Sequence, residues 1–314
     1  MKLYDHLDVL HGGLPAGARP SVTLHSGLAG VRHRPLAFVR EMVKLRLRAL
    51  VHRDHTARWL RLLNSHPAFA EMTAACPRML YKIYRPYLTN TLDIEGRLAV
   101  LASHYQFVFR RGLAQTVAQA ARGPVALGSI DGKSGARYDL VLRAIGVLER
   151  EGELVLQLSC AGVLVYSVAF TFSDHEGAAA VRIGCLQGPK HGDKLALVRE
   201  ATRDLHGMRP KQLMVTLVRV LGHALGCAQL RLVGNANRAV RSALRSGRVL
   251  ADYNQTWEDI GAAEQADGDF SMFCERLAEP DMERVASKKR SEVRKRHELV
   301  AALSGQMVKR FSMR

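Results

Sequence analysis

Twenty consecutive residues, Leu154 to Ser173, carry no charge, a length that would cross a bilayer as a helix. Their order argues against a helix. Leu154, Leu156 and Leu158 alternate with Val155, Gln157 and Ser159, and after Cys160-Ala161-Gly162 the series Leu164, Tyr166, Val168, Phe170, Phe172 alternates with smaller residues. Side chains repeating every second residue line one face of a strand, and a break of small residues turns the chain back. The run is therefore a β-hairpin, and any fold for this chain has to place a sheet around it.

Period two extends on both sides. It predicts strands at 124–130, 137–148, 152–159, 163–173 and 178–186, joined by connections too short for anything but antiparallel neighbours. Before this meander, 35–122 reads as mostly helical, interrupted at Pro67, Pro77 and Pro86. After it, Leu195, Val198 and Leu205 mark one helix, closed by Gly207 as the residue after its cap. Pro210 opens an apolar helix over 209–226. A strand at 229–234 and a short helix at 237–246 follow. The expected class is α+β, with an irregular lead-in (1–30), a basic helical region (31–122), an α+β core (123–270) and a basic C-terminal helical segment (271–314) whose helix ends near Ser304-Gly305.

The formal charge of +17 is unevenly spread. Residues 30–62 hold nine Lys/Arg against Glu41 and Asp54, and residues 283–314 hold ten against three glutamates, so the middle of the chain is nearly neutral. Val39, Val43, Leu47 and Leu50 recur at helical spacing among Arg40, Lys44 and Arg48. Such segments suit an anionic membrane surface, an envelope lipid precursor or acyl-carrier protein. They equally suit a solvated helix face whose apolar side packs on the domain. Aromatic platforms and a DNA-reading helix are missing, so nucleic acid is the weaker partner. Asp5 and Asp8 sit where a signal peptide needs an apolar core. Five cysteines without CxxC pairing read as reduced thiols, and a cytoplasmic protein, peripheral at the inner membrane, is the expectation. No metal is expected; His52 and His55 lack a third ligand nearby.

Four places carry candidate chemistry. Gly132-Lys133-Ser134 imitates a P-loop but has Leu127 where the first glycine belongs and joins two strands, so it reads as a hairpin turn. Gln187, Gly188, Lys190, Gly192 and Lys194 lie between a strand and a helix, where backbone N–H groups and lysines can hold the phosphates of an acyl-CoA or a carrier-bound acyl donor. This loop resembles the coenzyme A loop of GNAT acetyltransferases, with different glycine spacing and with Pro189 removing a donor. The alternative is a structural turn. Around the joint at 202–211, His206 can serve as a base oriented by Asp204, with Arg203, Arg209 and Lys211 holding an anionic substrate, or the cluster can cap and fix the joint. His104, beside Tyr105, is the other candidate base, with core packing as its alternative.

Several strings taken together resemble the VirK/YbjX family of bacterial proteins over roughly 35–300. They are Tyr84-Arg-Pro-Tyr87, His104-Tyr105, Arg150-Glu-Gly-Glu-Leu154, Ile183-Gly-Cys-Leu-Gln-Gly188, Thr202-Arg-x-x-His-Gly-x-Arg-Pro-Lys211, Val233-Gly-Asn235, Tyr253 with Trp257, and the basic run Lys289–Arg296. Met208 stands where the family commonly has leucine. The resemblance implies a link to the bacterial envelope, to virulence and to resistance against cationic antimicrobial peptides. It carries over no catalytic residue. Combined with the GNAT-like order of elements, it gives acyl transfer as the expected chemistry and a non-enzymatic adaptor docked on anionic lipid as the alternative.

Overall fold

The computed structural model describes residues 21–31, 33–189, 193–240 and 252–312. One eight-stranded sheet organises them, in the order β1-β2-β3-β4-β5-β6-β8-β7. Its strands are β1 (Val125–Asp131), β2 (Arg137–Ala144), β3 (Leu154–Cys160), β4 (Val163–His175), β5 (Ala178–Gln187), β6 (Gln229–Leu232), β7 (Ala263–Glu264) and β8 (Phe270–Phe273). The meander β1–β5 is antiparallel as the pattern requires. β6 lies parallel to β5, because the helical crossover between them brings the chain back to the same end of the sheet.

Ahead of the sheet come α1 (Pro35–Val51), α2 (Arg53–Leu63), α3 (Ala68–Ala75), a 3-10 segment (Pro77–Tyr84), α4 (Ile94–Arg110) and α5 (Ala114–Arg122). The crossover contributes α6 (Lys194–Asp204) and α7 (Pro210–Ala224), and the chain ends with α8 (Tyr253–Glu258) and α9 (Ser287–Ser312). Phe172 and Val181 are cross-strand partners and so point to one face. Phe107 of α4 stacks on Phe172 at 4.3 Å, and Gly222 of α7 lies against Val181, so both helices cover that face. On the other face, Val155, Ala169 and Cys185 are covered by Val147 and Leu148 of the loop between β2 and β3.

Several boundaries differ from the sequence reading for local reasons. β2 stops at Ala144, not at 148, because Ile145 and Leu148 take positive φ (64° and 50°) and bend the chain over the sheet. A division at 270/271 would cut β8, and both β7 and β8 are too short to show a period. α9 does not end at Ser304-Gly305. Leu299, Val300, Leu303, Met307 and Phe311 form one buried stripe across that point, which holds the helix together through the glycine. Asn235–Asn237 is a single 3-10 turn, and most of the helix expected at 237–246 lies outside the described residues.

Gly184 in β5 shows how closely the covering loop approaches. A Cβ there would stand 2.0 Å from the backbone oxygen of Glu151, whereas one at Gly188 would meet only the Tyr166 ring at 3.5 Å. Gly184→Ala should therefore cost about 3 kcal/mol or more, while Gly188→Ala stays within ~0.5 kcal/mol. Urea denaturation compares the two, and equal stability of both variants would contradict this packing.

Candidate functional site

The candidate residues divide among separate places. Gln187 ends β5 opposite Ser167, and Gly188 follows beside Tyr166. Lys190 and Gly192 lie outside the described residues. Lys194 is exposed at the start of α6, whose N-terminus is already capped: the Asp193 carboxylate accepts the Ala196 N–H at 2.9 Å. His206 stands past the other end of α6, eleven residues and therefore about 16 Å away. Among the described residues, Lys194 and the proposed base do not meet.

The joint itself is a helix stop. Leu205 caps α6, His206 takes the left-handed conformation (φ 52°) as the first residue beyond it, and Gly207 is the second. The Gly207 N–H closes on the Thr202 carbonyl at 2.8 Å, a Schellman arrangement shifted one residue from the expected one. Asp204 does not orient His206. Its Oδ1 accepts the Ser134 N–H at 2.6 Å, and its backbone oxygen accepts the Lys133 N–H. Burial pushes the Asp204 carboxyl up, but hydrogen bonds from Ser134 and Tyr138, with His206 adding attraction, hold it below the ordinary range. Asp204 thus ties α6 to the β1–β2 turn, which explains Gly132: a Cβ there would fall 2.0 Å from Asp204 Oδ2. Lys211 reaches Asp259 at 3.7 Å and Thr256 at 3.4 Å, while Arg203 and Arg209 are exposed.

His104 belongs to a different, fully buried group. Its Nδ1 accepts the Phe172 N–H at 3.1 Å, its Nε2 has no hydrogen-bond partner, and its ring lies parallel to Phe172. Burial drives the imidazolium down to about 4, with Glu153 opposing and Lys82 adding to the shift. The ring is therefore neutral at pH 7. Nearby, Lys82 pairs with Glu153 Oε1, and Tyr105 donates to Oε2 at 2.5 Å. The Thr171 hydroxyl accepts the Glu153 N–H at 3.1 Å and meets the Tyr87 hydroxyl at 3.0 Å. Burial works against the Glu153 carboxylate, yet Lys82, His104 and Tyr105 hold its pKa below the ordinary value.

The sequence reading missed this pair. Its signal was a lone charge inside the apolar run Met79–Ile83 and a carboxylate, Glu153, directly before the uncharged run that starts at Leu154. Three of the family strings meet in it through Tyr87, Tyr105 and Glu153. Others meet at the far end of β5. There the Tyr253 hydroxyl donates to the Leu186 carbonyl (2.9 Å) and accepts its N–H (2.8 Å), and Trp257 donates to the Val233 carbonyl at 3.0 Å.

Two features face solvent. A groove of about 660 Å³ separates α9 from the β1–β2 edge, with Arg137, Lys309 and Arg310 on its rim. Gln306 lines the same groove and bridges the Ser129 N–H and C=O, each at 3.0 Å. The second is α1. It buries Leu45 and half-buries Phe38 and Met42, whereas Leu36, Val39, Val43, Leu47, Leu50 and Val51 are 47–88% exposed. Of the nine large apolar side chains exposed among the described residues, six are on this helix. The stripe that one of the two sequence readings packed on the domain is the outward one.

These observations describe a mixed α+β protein with a helical N-terminal part, one continuous sheet and a charged, two-faced helix at its surface. The chain belongs to the family described as protein of unknown function DUF535, which matches residues 36–309. YbjX of Escherichia coli (strain K12) is 27% identical over 305 residues, 95% of this chain and 92% of that protein. The membrane protein LapB of Mannheimia haemolytica is 25% identical over 190 residues, 60% of this chain and 80% of its own. Among solved structures, a cAMP-binding acyltransferase from Mycobacterium smegmatis matches 68% of this chain and 65% of its own, at 12% identity and a TM-score of 0.28. A likeness at that score assigns neither fold nor function.

Removing one partner of the buried pair leaves a charge without compensation. Lys82→Met alone should lower the unfolding free energy by roughly 3–5 kcal/mol, and Lys82→Met with Glu153→Leu should recover most of that loss. Urea denaturation of the single and double variants measures the coupling, and additive losses would show that none exists.

Proposed function

We propose that this protein docks peripherally on an anionic membrane surface of the bacterial envelope through α1, on the cytoplasmic face of the inner membrane. The outward apolar stripe carries the reading. At about 100° per residue, Leu36, Val39, Val43, Leu47 and Leu50 share one arc, with Arg40 and Lys44 along one border and Arg46 along the other. An apolar arc bordered by cations suits the plane between headgroups and acyl chains. Among the described residues no helix is long and apolar enough to cross a membrane. Lys288, Lys289, Arg290, Arg294 and Lys295, exposed in the first half of α9, add attraction to anionic lipid without an apolar stripe of their own. The membrane protein named among the relatives is consistent with this setting.

Vesicle co-sedimentation tests the reading. Binding to vesicles containing phosphatidylglycerol should weaken about tenfold or more in Val43→Gln/Leu47→Gln, since each withdrawn side chain forfeits ~1.5–3 kcal/mol. Both residues are exposed, so the fold should be unaffected. Unchanged binding by a folded variant would remove α1 from the interface.

A second reading, acyl transfer from acyl-CoA or acyl-carrier protein on a GNAT-like core, is favoured by one observation. β5 and β6 part after Ile183 and Leu232, so Gly184–Gln187 continue without β6 beside them before the loop into α6. An extended donor arm can pair with that edge, but the Tyr253 hydroxyl now occupies Leu186 and has to be displaced. Native mass spectrometry with coenzyme A, acyl-CoAs and acyl-carrier protein should show Tyr253→Phe binding about tenfold tighter than the parent protein. The absence of any complex with either protein would sink the reading.

A further inference from the structure

We propose that Arg78, Arg85 and Arg150 form a receptor for the phosphomonoester headgroup of a membrane lipid. The proposal rests on the membrane docking of α1. Its foundation is a local excess of guanidinium groups. One carboxylate oxygen, Glu149 Oε1, serves both Arg78 (2.9 Å) and Arg85 (3.2 Å). Arg150 is held by carbonyls instead, donating to Pro86 at 3.2 Å and Ala239 at 2.6 Å. Arg48, on α1, makes no ion pair among the described residues. Burial lowers the Arg85 pKa, Glu149 opposes that, and Arg78, Arg48 and Arg150 lower it further. Two guanidinium groups share one carboxylate oxygen and a third has only carbonyls, which leaves an excess of positive charge.

The cluster is also shaped. Arg85 lies over the Tyr81 ring at 5.1 Å, which fixes its plane. A crevice of about 10 Å³ is lined by Arg78, Lys82, Arg85, Pro86, Tyr87, Arg150 and the Glu149 carboxylate that an incoming anion would have to displace from the arginines. That space takes a group the size of one water or one phosphate oxygen. A phosphomonoester brings nearly two negative charges and three terminal oxygens, so one oxygen can enter the crevice while two remain with the arginines. A carboxylate or a phosphodiester offers one charge and two such oxygens.

The position relative to α1 points to a lipid. Arg40, Lys44 and Arg48 follow one another every four residues and drift around the helix from the border of the apolar stripe toward the body of the protein. His52, the cap of α1, stacks on Tyr84 with ring centres 6.3 Å apart, and Arg85 is the next residue. With the stripe in the interface, the cluster stands at headgroup depth.

The test compares the full-length protein on vesicles of phosphatidic acid and of phosphatidylglycerol, diluted in phosphatidylcholine to equal surface potential. Phosphatidic acid should bind about tenfold tighter. Arg78→Gln/Arg85→Gln should lose that preference and keep its binding to phosphatidylglycerol. Equal affinity of the parent protein for both lipids overturns the receptor, and so does a preference that survives the substitutions. Titration with a soluble short-chain phosphatidic acid separates the two readings. If no vesicle is bound but the soluble lipid is, only the docking of α1 fails; if the soluble lipid gives no signal, the receptor fails. Displacement of that lipid by equimolar inorganic phosphate would overturn its assignment to a lipid.

Discussion

The ion pair between Lys82 and Glu153 is the constraint on which the architecture turns. A carboxylate without solvent survives only when its lone pairs are satisfied, and here a lysine and a tyrosine do so from two different helical segments. Lys82 comes from the 3-10 segment and Tyr105 from α4, while Glu153 sits at the entry to β3. The helical N-terminal part is thereby locked to one point of the sheet. Apolar packing alone would tolerate small shifts of those helices; a buried charge that needs its partner within hydrogen-bond reach does not.

That lock decides what α1 can do. With the Pro77–Tyr84 segment held in place, a 3-10 turn at Leu24–Val31 packs on both it and α1, and Phe38, Met42 and Leu45 turn toward the body. The helix has two apolar faces, and the body covers only one. The second face therefore remains outward with cations along its borders. The surface that suggests a membrane thus follows from how the core is tied.

The joint between α6 and α7 illustrates the opposite case, in which reactive residue types serve structure. Asp204 holds a turn, His206 supplies the left-handed residue of a helix stop, and Lys211 braces α8. None of these tasks uses the acid-base chemistry for which the residues were singled out. The eleven residues of α6 hold the joint and Lys194 apart, at opposite ends of a rigid rod.

The antiparallel meander, the buried α7 and the two basic segments were legible in the sequence because they are local patterns: period two, an apolar helix, a run of cations. Partnership was not. Which of the two apolar faces of α1 is core depends on the 3-10 turn at Leu24–Val31 and, through that turn, on Pro77–Tyr84 farther along the chain. The pairing of Lys82 with Glu153 spans 71 residues; locally Lys82 reads as a stray charge in an apolar run and Glu153 as the last residue of a charged turn. Periodicity reports what a segment can bury, since side-chain direction repeats along the backbone. What it does bury is decided by the segments that tertiary folding brings to it, and no local pattern encodes that choice.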